Sequence, residues 1–343
     1  MWISVFEPRV LAAILLMLAA GGLYFACRVA MRAAIGPRAS SPGRRALCQW
    51  LPVAATAIAA IFTHHPAMAV AIIFGTSVAY LSLVLGMTSY VAPMHSDAAR
   101  PRAWAFILAP VLLSLLAGFG GVLTALHAGM LLILGVTILA VWREDAAMGT
   151  VSASSKTNDA AALNMDGMRW VQLVVAIGLA SAAGTAAVLA AALAAQQSPL
   201  PSESLVALSV LSPMLILPSL RTCVTVAELG DVQGAVSAII GTVLLNLCVL
   251  LPIAILLWYP VNGISLKTIV SLQPAAADLS APAQGLVYPI GIWRLETIVL
   301  LVLGFGLIPI ALGRLTLARI ESAILVVGYA LYLAAVAWSA RGT

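Results

Sequence analysis

Charge is the scarcest thing in this chain: only 8% of its 343 residues are Asp, Glu, Lys or Arg, against 63% hydrophobic. A soluble domain of this length needs far more charge to cover its surface, so the deficit excludes soluble classes and leaves a polytopic membrane protein. Cysteine is scarce too. The four present, Cys27, Cys48, Cys223 and Cys248, have no metal or redox spacing and read as small apolar helix residues. There is no His-rich cluster, no Ser/His/Asp arrangement and no phosphate-cradling Gly loop at a helix end. A membrane enzyme acting on lipid is therefore the least supported class, and no cofactor or metal is implied. No small-residue cleavage site follows the first apolar run. Arg28 and Arg32 come next, so that run reads as a retained first span rather than a leader.

What is present is a succession of apolar runs, with a mean hydropathy of +1.09. A span needs about 20 apolar residues. Breaks at charges, Pro and Gly place helices at 9–27, 50–63, 67–91, 103–125, 128–142, 169–196, 204–227, 233–258, 293–313 and 321–339. The expected fold is thus all-α: ten transmembrane helices, five on each side of a polar connector at 143–168. The connector holds Arg143, Glu144, Asp145, Lys156, Asp159 and Asp166, and it separates a first half, 1–142, from a second, 169–343. A polar, Pro-containing segment at 259–292 reads as an outer loop of the second half.

Basic residues set the orientation. With the N-terminus outside, inner loops hold Arg28, Arg32, Arg38, Arg44, Arg45, Arg100, Arg102, Arg143, Lys156, Arg169, Arg314 and Arg319. The outer side holds only Arg9, Lys267, Arg294 and Arg341. Twelve against four also accounts for the net charge of +5 without a nucleic-acid partner. The expected setting is a lipid bilayer, a bacterial inner membrane, with both termini outside. All eight Trp fall at or near the expected helix ends, as an interfacial belt would have them.

Five spans per half, an odd number, means that the halves enter the membrane from opposite sides, so a sequence repeat between them is an inverted one. At an offset of 166, residues 51–86 match 217–252 at ten of 36 positions without a gap. The matches include Leu51-Pro52 with Leu217-Pro218 and Gly75-Thr76 with Gly241-Thr242. Pro52 and Pro218 cannot donate a backbone hydrogen bond, so each frees a carbonyl within or beside a span. Gly75 and Gly241 allow close helix approach. Thr76 and Thr242 add a hydroxyl beside each contact, and the two windows are expected to meet near the midplane.

These windows resemble the two alpha repeats of the sodium/calcium exchanger family, in the calcium:cation antiporter superfamily. There each repeat reads Gly-Thr-Ser-Leu-Pro-Glu, then Gly-Asn, then Gly-Ser with an Asn or Asp four residues beyond. The resemblance implies a ten-helix, five-plus-five transporter of ions. On it, the acidic positions are Val53 and Ser219, and the first Asn positions are Ile72 and Ala238. The Gly-Ser survives as Gly75-Thr76 and Gly241-Thr242, and the last polar positions are Tyr80 and Asn246. The opening Gly-Thr-Ser has become Cys48-Gln49-Trp50 and Met214-Leu215-Ile216. Both exchange carboxylates are then missing. Calcium takes six to eight oxygens with carboxylates among them, so calcium exchange is not expected.

The pocket implied is neutral: Thr76, Tyr80, Ser219, Thr242 and Asn246. Arg221, inside a span, has two readings. It snorkels or pairs with Glu228, or it takes the place of the missing cation and greets an anionic solute. Function has two readings as well: a transporter whose cargo is a small ion or solute other than calcium, or a transport-inactive membrane scaffold. A sealed midplane would favour the scaffold. The remaining polar residues are weaker candidates. His64 and His65 read as a solvated outer turn, His127 as an outer loop residue, Glu228 and Asp231 as solvated helix ends, and Glu296 as a group near the interface, two residues from Arg294, that could also reach a cavity.

Overall fold

The computed structural model describes residues 8–34, 42–93, 106–118, 122–151, 167–197, 203–264, 285–311 and 316–339. Among these residues there are ten helices: α1 (Pro8–Ala34), α2 (Pro42–Phe62), α3 (Pro66–Val91), α4 (Leu108–Gly118), α5 (Ala125–Val151), α6 (Gly167–Gln197), α7 (Glu203–Glu228), α8 (Val232–Val261), α9 (Ile290–Ala311) and α10 (Arg319–Ser339). Eight are long and apolar enough to cross a membrane, while α4 and the apolar part of α5, Ala125–Val141, are shorter. The molecule is an integral, multi-pass membrane protein.

Burial sorts the helices into centre and periphery. In α3 and α8, 94% and 83% of the most apolar stretch is buried, followed by α2 and α7 at 67% and 61%. In α1, α9 and α10 the share is a third or less. Helices that are apolar all round belong either in a core or against lipid. Here the four repeat-bearing helices take the core, and the others present Met17, Leu18, Ile133, Val302, Ile324 and similar side chains outward.

The offset of 166 reappears in the backbone. Added to Pro66–Ala79, the α-helical part of α3, it gives Val232–Leu245, the α-helical part of α8. Each is followed by one wide π turn, Tyr80–Val84 and Asn246–Leu250, which again differ by 166. The turns leading into these helices match as well: His64 has φ 63° and Gly230, its counterpart, φ 92°. Glycine takes that left-handed conformation freely, whereas His64 bears the Cβ strain. Pro52 and Pro218 lie inside α2 and α7, and in each case the Thr four residues on, Thr56 or Thr222, donates to the proline carbonyl at 2.8 Å. The Cys48 carbonyl, which Pro52 leaves without its helical donor, faces the Cys27 thiol at 3.7 Å. Gly75 has the expected role, since a Cβ there would press on Leu208 and Ser212 of α7. Gly241 is buried within α8.

Several boundaries differ from expectation. α2 begins at Pro42 rather than 50, because Arg45 is matched by Asp231 and need not stay outside the helix. α5 continues to Val151, so the first part of the 143–168 connector is helical, while 152–166 lies outside the described residues. The single span expected at 103–125 is instead a short α4 and a strand, β1 (Val122–Leu123). β1 pairs antiparallel with β2 (Leu286–Val287), drawn from the expected outer loop, whose 265–284 stretch is outside the described residues. Trp293 is not interfacial. It is 3% exposed, edge-on to Phe74, and lies where a Cβ on Gly118 would be, which is why α4 ends at a glycine.

Candidate functional site

The polar side chains of the core converge where α2, α3, α7 and α8 meet. Thr76 and Ser77 of α3, one turn ahead of the π turn, both accept from the Asn246 amide at 3.2 Å. Asn246 Oδ1 has no partner among the described residues, although the side chain is fully buried. Four residues after Thr76, the Tyr80 hydroxyl lies 2.7 Å from Ser219 Oγ on α7 and 3.2 Å from the Gln49 carbonyl on α2. Gln49 continues the network, with Nε2 3.1 Å from Cys223 Sγ and Oε1 3.4 Å from Thr242 Oγ. The short bond of Thr242 is to its own helix, the Ala238 carbonyl at 2.8 Å, so its contact with Gln49 is secondary.

Five of the six expected site residues therefore lie in a neutral central cluster of two hydrogen-bonded groups, Thr76 and Asn246 with Ser77 in one, Tyr80, Ser219 and Thr242 with Gln49 in the other. Tyr80 and Asn246, equivalent by the offset, open two of the three π turns among the described residues, the third being Ala207–Leu211 in α7. A π turn widens the helix and turns carbonyls out of register, and such turns recur at functional sites. Val53, Ile72 and Ala238 are fully buried beside them. Three members went unrecognised: Gln49, Ser77 and Cys223. Gln49 stands at the Thr of the repeat's opening Gly-Thr-Ser and was findable on that ground, whereas Cys223 is visible only through its partner.

Arg221 is elsewhere. It is exposed on the outer side of α7 and donates to Tyr24 Oη of α1 at 2.9 Å. The two residues help to line a cavity of about 290 Å³ with Cys27, Arg28, Met31 and Pro218. It pairs neither with Glu228 nor with the central cluster. A second cavity, about 570 Å³, lies against α10 near Tyr90, Arg319 and Leu331. Neither is lined by the cluster.

A side-chain pair holds each end of the central four helices, the Arg45–Asp231 ion pair at one and a His65–Glu203 contact at the other. Asp231, which caps α8 by accepting from Gly234 N, also meets Arg45 of α2 at 2.6 Å. His65, its offset equivalent at the start of α3, meets Glu203 at the start of α7 at 2.7 Å. Since α2 leads directly into α3 and α7 into α8, these pairs mark opposite ends of the bundle, and α3 and α8 run antiparallel. Neither His65 nor Asp231 is a merely solvated end. His127 accepts from Thr124 N at 3.1 Å at the start of α5. Among the described residues, no group of three His, Cys, Asp or Glu is placed to hold a metal.

No family model matches the sequence, and no curated protein matches it. Solved structures do. The H+/Ca2+ exchanger CAX superposes with a TM-score of 0.68 at 13% identity, over 99% of this chain and 90% of that one. The sodium-calcium exchanger NCX_Mj, soaked with 10 mM Na+ and zero Ca2+, gives 0.58 at 15% identity, over 95% and 99%. Soaked with 100 mM Na+ and 10 mM Sr2+, it gives 0.56 at 15% identity, over 95% and 96%. The fold is that of a cation exchanger. Near-complete coverage in both directions extends the likeness from the two short windows to the described helices as a whole. At these identities the exchanger fold is what is shared, and the chemistry of this chain rests on its own residues.

Proposed function

We propose that the chain is a transporter of the exchanger fold, built as two inverted five-helix halves, 1–142 and 169–343, joined by 143–168. Its cargo is a monovalent cation rather than calcium. What carries this reading is the buried cluster of neutral oxygens between the repeats, with the Asn246 carbonyl oxygen left unpaired. Calcium taken into such a site would lack carboxylate countercharge, at a cost far beyond what hydroxyls return. A monovalent ion asks less, and Asn246, Thr76, Ser77, Ser219 and Thr242 offer it oxygen atoms alone. An anionic solute at Arg221 is less well supported, since that side chain faces α1 and not the cluster.

The full burial of the cluster and the polar pairs at both ends of the four helices fit an occluded arrangement. The same packing favours the other reading, a transport-inactive exchanger-like scaffold or assembly partner. Flux separates the two. Purified protein in lipid vesicles is assayed for exchange of sodium, potassium and calcium across the bilayer. The expected result is monovalent exchange, no calcium movement, and loss of exchange in Asn246→Leu. Calcium exchange would overturn the cargo assignment, and no movement of any ion would leave the scaffold as the function.

A further inference from the structure

Glu296 is the one buried carboxyl among the described residues, and it lies outside the repeats. It is the seventh residue of α9, roughly 9 Å along the helix at 1.5 Å per residue, and it is fully buried. Its Oε2 accepts from the Tyr288 hydroxyl at 3.0 Å, while Oε1 has no hydrogen-bond partner. Tyr332 of α10 turns its hydroxyl toward the same carboxyl without closing a full hydrogen bond on it. Tyr329, stacked at a tilt on Tyr332, also has a buried, unpartnered hydroxyl. Tyr288, just past β2, and Tyr332 of α10 are the titratable groups brought to it, with Tyr329 behind Tyr332. α3 and α4, which also pack on α9, bring no charged side chain, and Arg294 on the same helix is exposed.

The chain thus keeps an acid in its apolar interior with no cation beside it among the described residues. A lone carboxylate in such surroundings is too costly to persist, and a bound proton removes the charge where no Lys or Arg does. The Tyr288 hydroxyl donates to the group when it is ionised and can accept from it when it is protonated, and Tyr332 is turned toward the same carboxyl. α9 and α10 both pack against the π turn Tyr80–Val84, so a change at Glu296 is one packing layer from the central cluster. We propose that Glu296, with Tyr288 and Tyr332, is a proton-binding site that couples proton movement to transport. It thereby supplies the carboxyl that the central cluster lacks. The coupling half of this proposal rests on the transport reading above, whereas the proton site does not.

Dicyclohexylcarbodiimide tests the site directly, because it dissolves in the bilayer and reacts with protonated carboxyls. The acid adds across one C=N bond, its proton going to nitrogen and its oxygen to carbon. The adduct then rearranges to a stable N-acylurea that peptide mass spectrometry locates. With the full chain in vesicles, Glu296 is expected to be labelled at low pH, with the rate falling about tenfold per pH unit once the group is mostly ionised. Glu296→Gln should take no label there. Tyr288→Phe removes a donor to the ionised form and should move the profile to higher pH, which keeps the test open should Glu296→Gln fail to fold. No labelling at any pH, a rate independent of pH, or protection by sodium or potassium at fixed pH would overturn the proton site. If labelling behaves as expected but a pH gradient drives no ion flux, the site stands and the coupling falls with the transport reading.

Discussion

Tyr80 joins the halves at the level of single atoms. Its hydroxyl comes from α3, yet it serves Ser219 on α7 and the Gln49 carbonyl on α2, all within a core closed to water. One hydroxyl donates only once, so a bond to the Gln49 carbonyl leaves Ser219 as donor to Tyr80. Tyr80→Phe would strand the Ser219 hydroxyl and take from the Gln49 carbonyl its second donor, and leaving a buried polar group unsatisfied costs about 1–3 kcal/mol. Ser219→Ala should cost less, because Tyr80 keeps the Gln49 carbonyl. Thermal unfolding in detergent is expected to rank the variants in that order, with a double mutant less destabilised than the sum of the two. Equal and additive losses would mean that the bond contributes nothing across the interface.

Single helices show where local reading works and where it stops. The cores of α3 and α8 were legible because their apolar runs lack charge, and because Pro66 and Gly230 mark the turns before them. The start of α2 was not, since Arg44 and Arg45 look like loop residues until Asp231, 186 positions away, is brought against the second of them. Glu296 was passed over for the same reason, as Tyr288 and Tyr332 reach it only in the folded molecule. The π turns have no signal in composition at all. The Arg45–Asp231 pair has a functional corollary. Arg45 is nearly buried and Asp231 half in solvent, so water screens the pair and its loss should cost about 1–2 kcal/mol. If the pair holds that end of the bundle shut, Arg45→Ala opens a way to Cys223 beside Gln49. With a factor of ten for about every 1.4 kcal/mol, maleimide should label Cys223 roughly tenfold faster than in the parent protein. Glu203→Gln, at the opposite end, should leave that rate unchanged.

Across the whole molecule, the fold and the orientation stand on different supports. The contacts make α3 and α8 antiparallel, and the likeness to exchangers covers nearly the full chain, but neither says which end faces the cell interior. That assignment rests on the twelve-to-four distribution of basic residues, of which Arg38, Arg100, Arg102, Lys156, Lys267, Arg314 and Arg341 lie outside the described residues. The two ends offer convenient reporters. Gly43, at the start of α2, has open space around its Cα, and Asn262, just past α8, is exposed. The four native cysteines are buried and form a quiet background. In intact cells a membrane-impermeant maleimide should label Asn262→Cys at once and Gly43→Cys only after permeabilisation. The reverse pattern would turn the molecule over, and with it the side from which the Arg45–Asp231 end receives its ions. Labelling of both sites in intact cells would mean that the chain inserts in two orientations. An antiparallel pair of repeats tolerates that geometrically, and only the Lys and Arg bias opposes it.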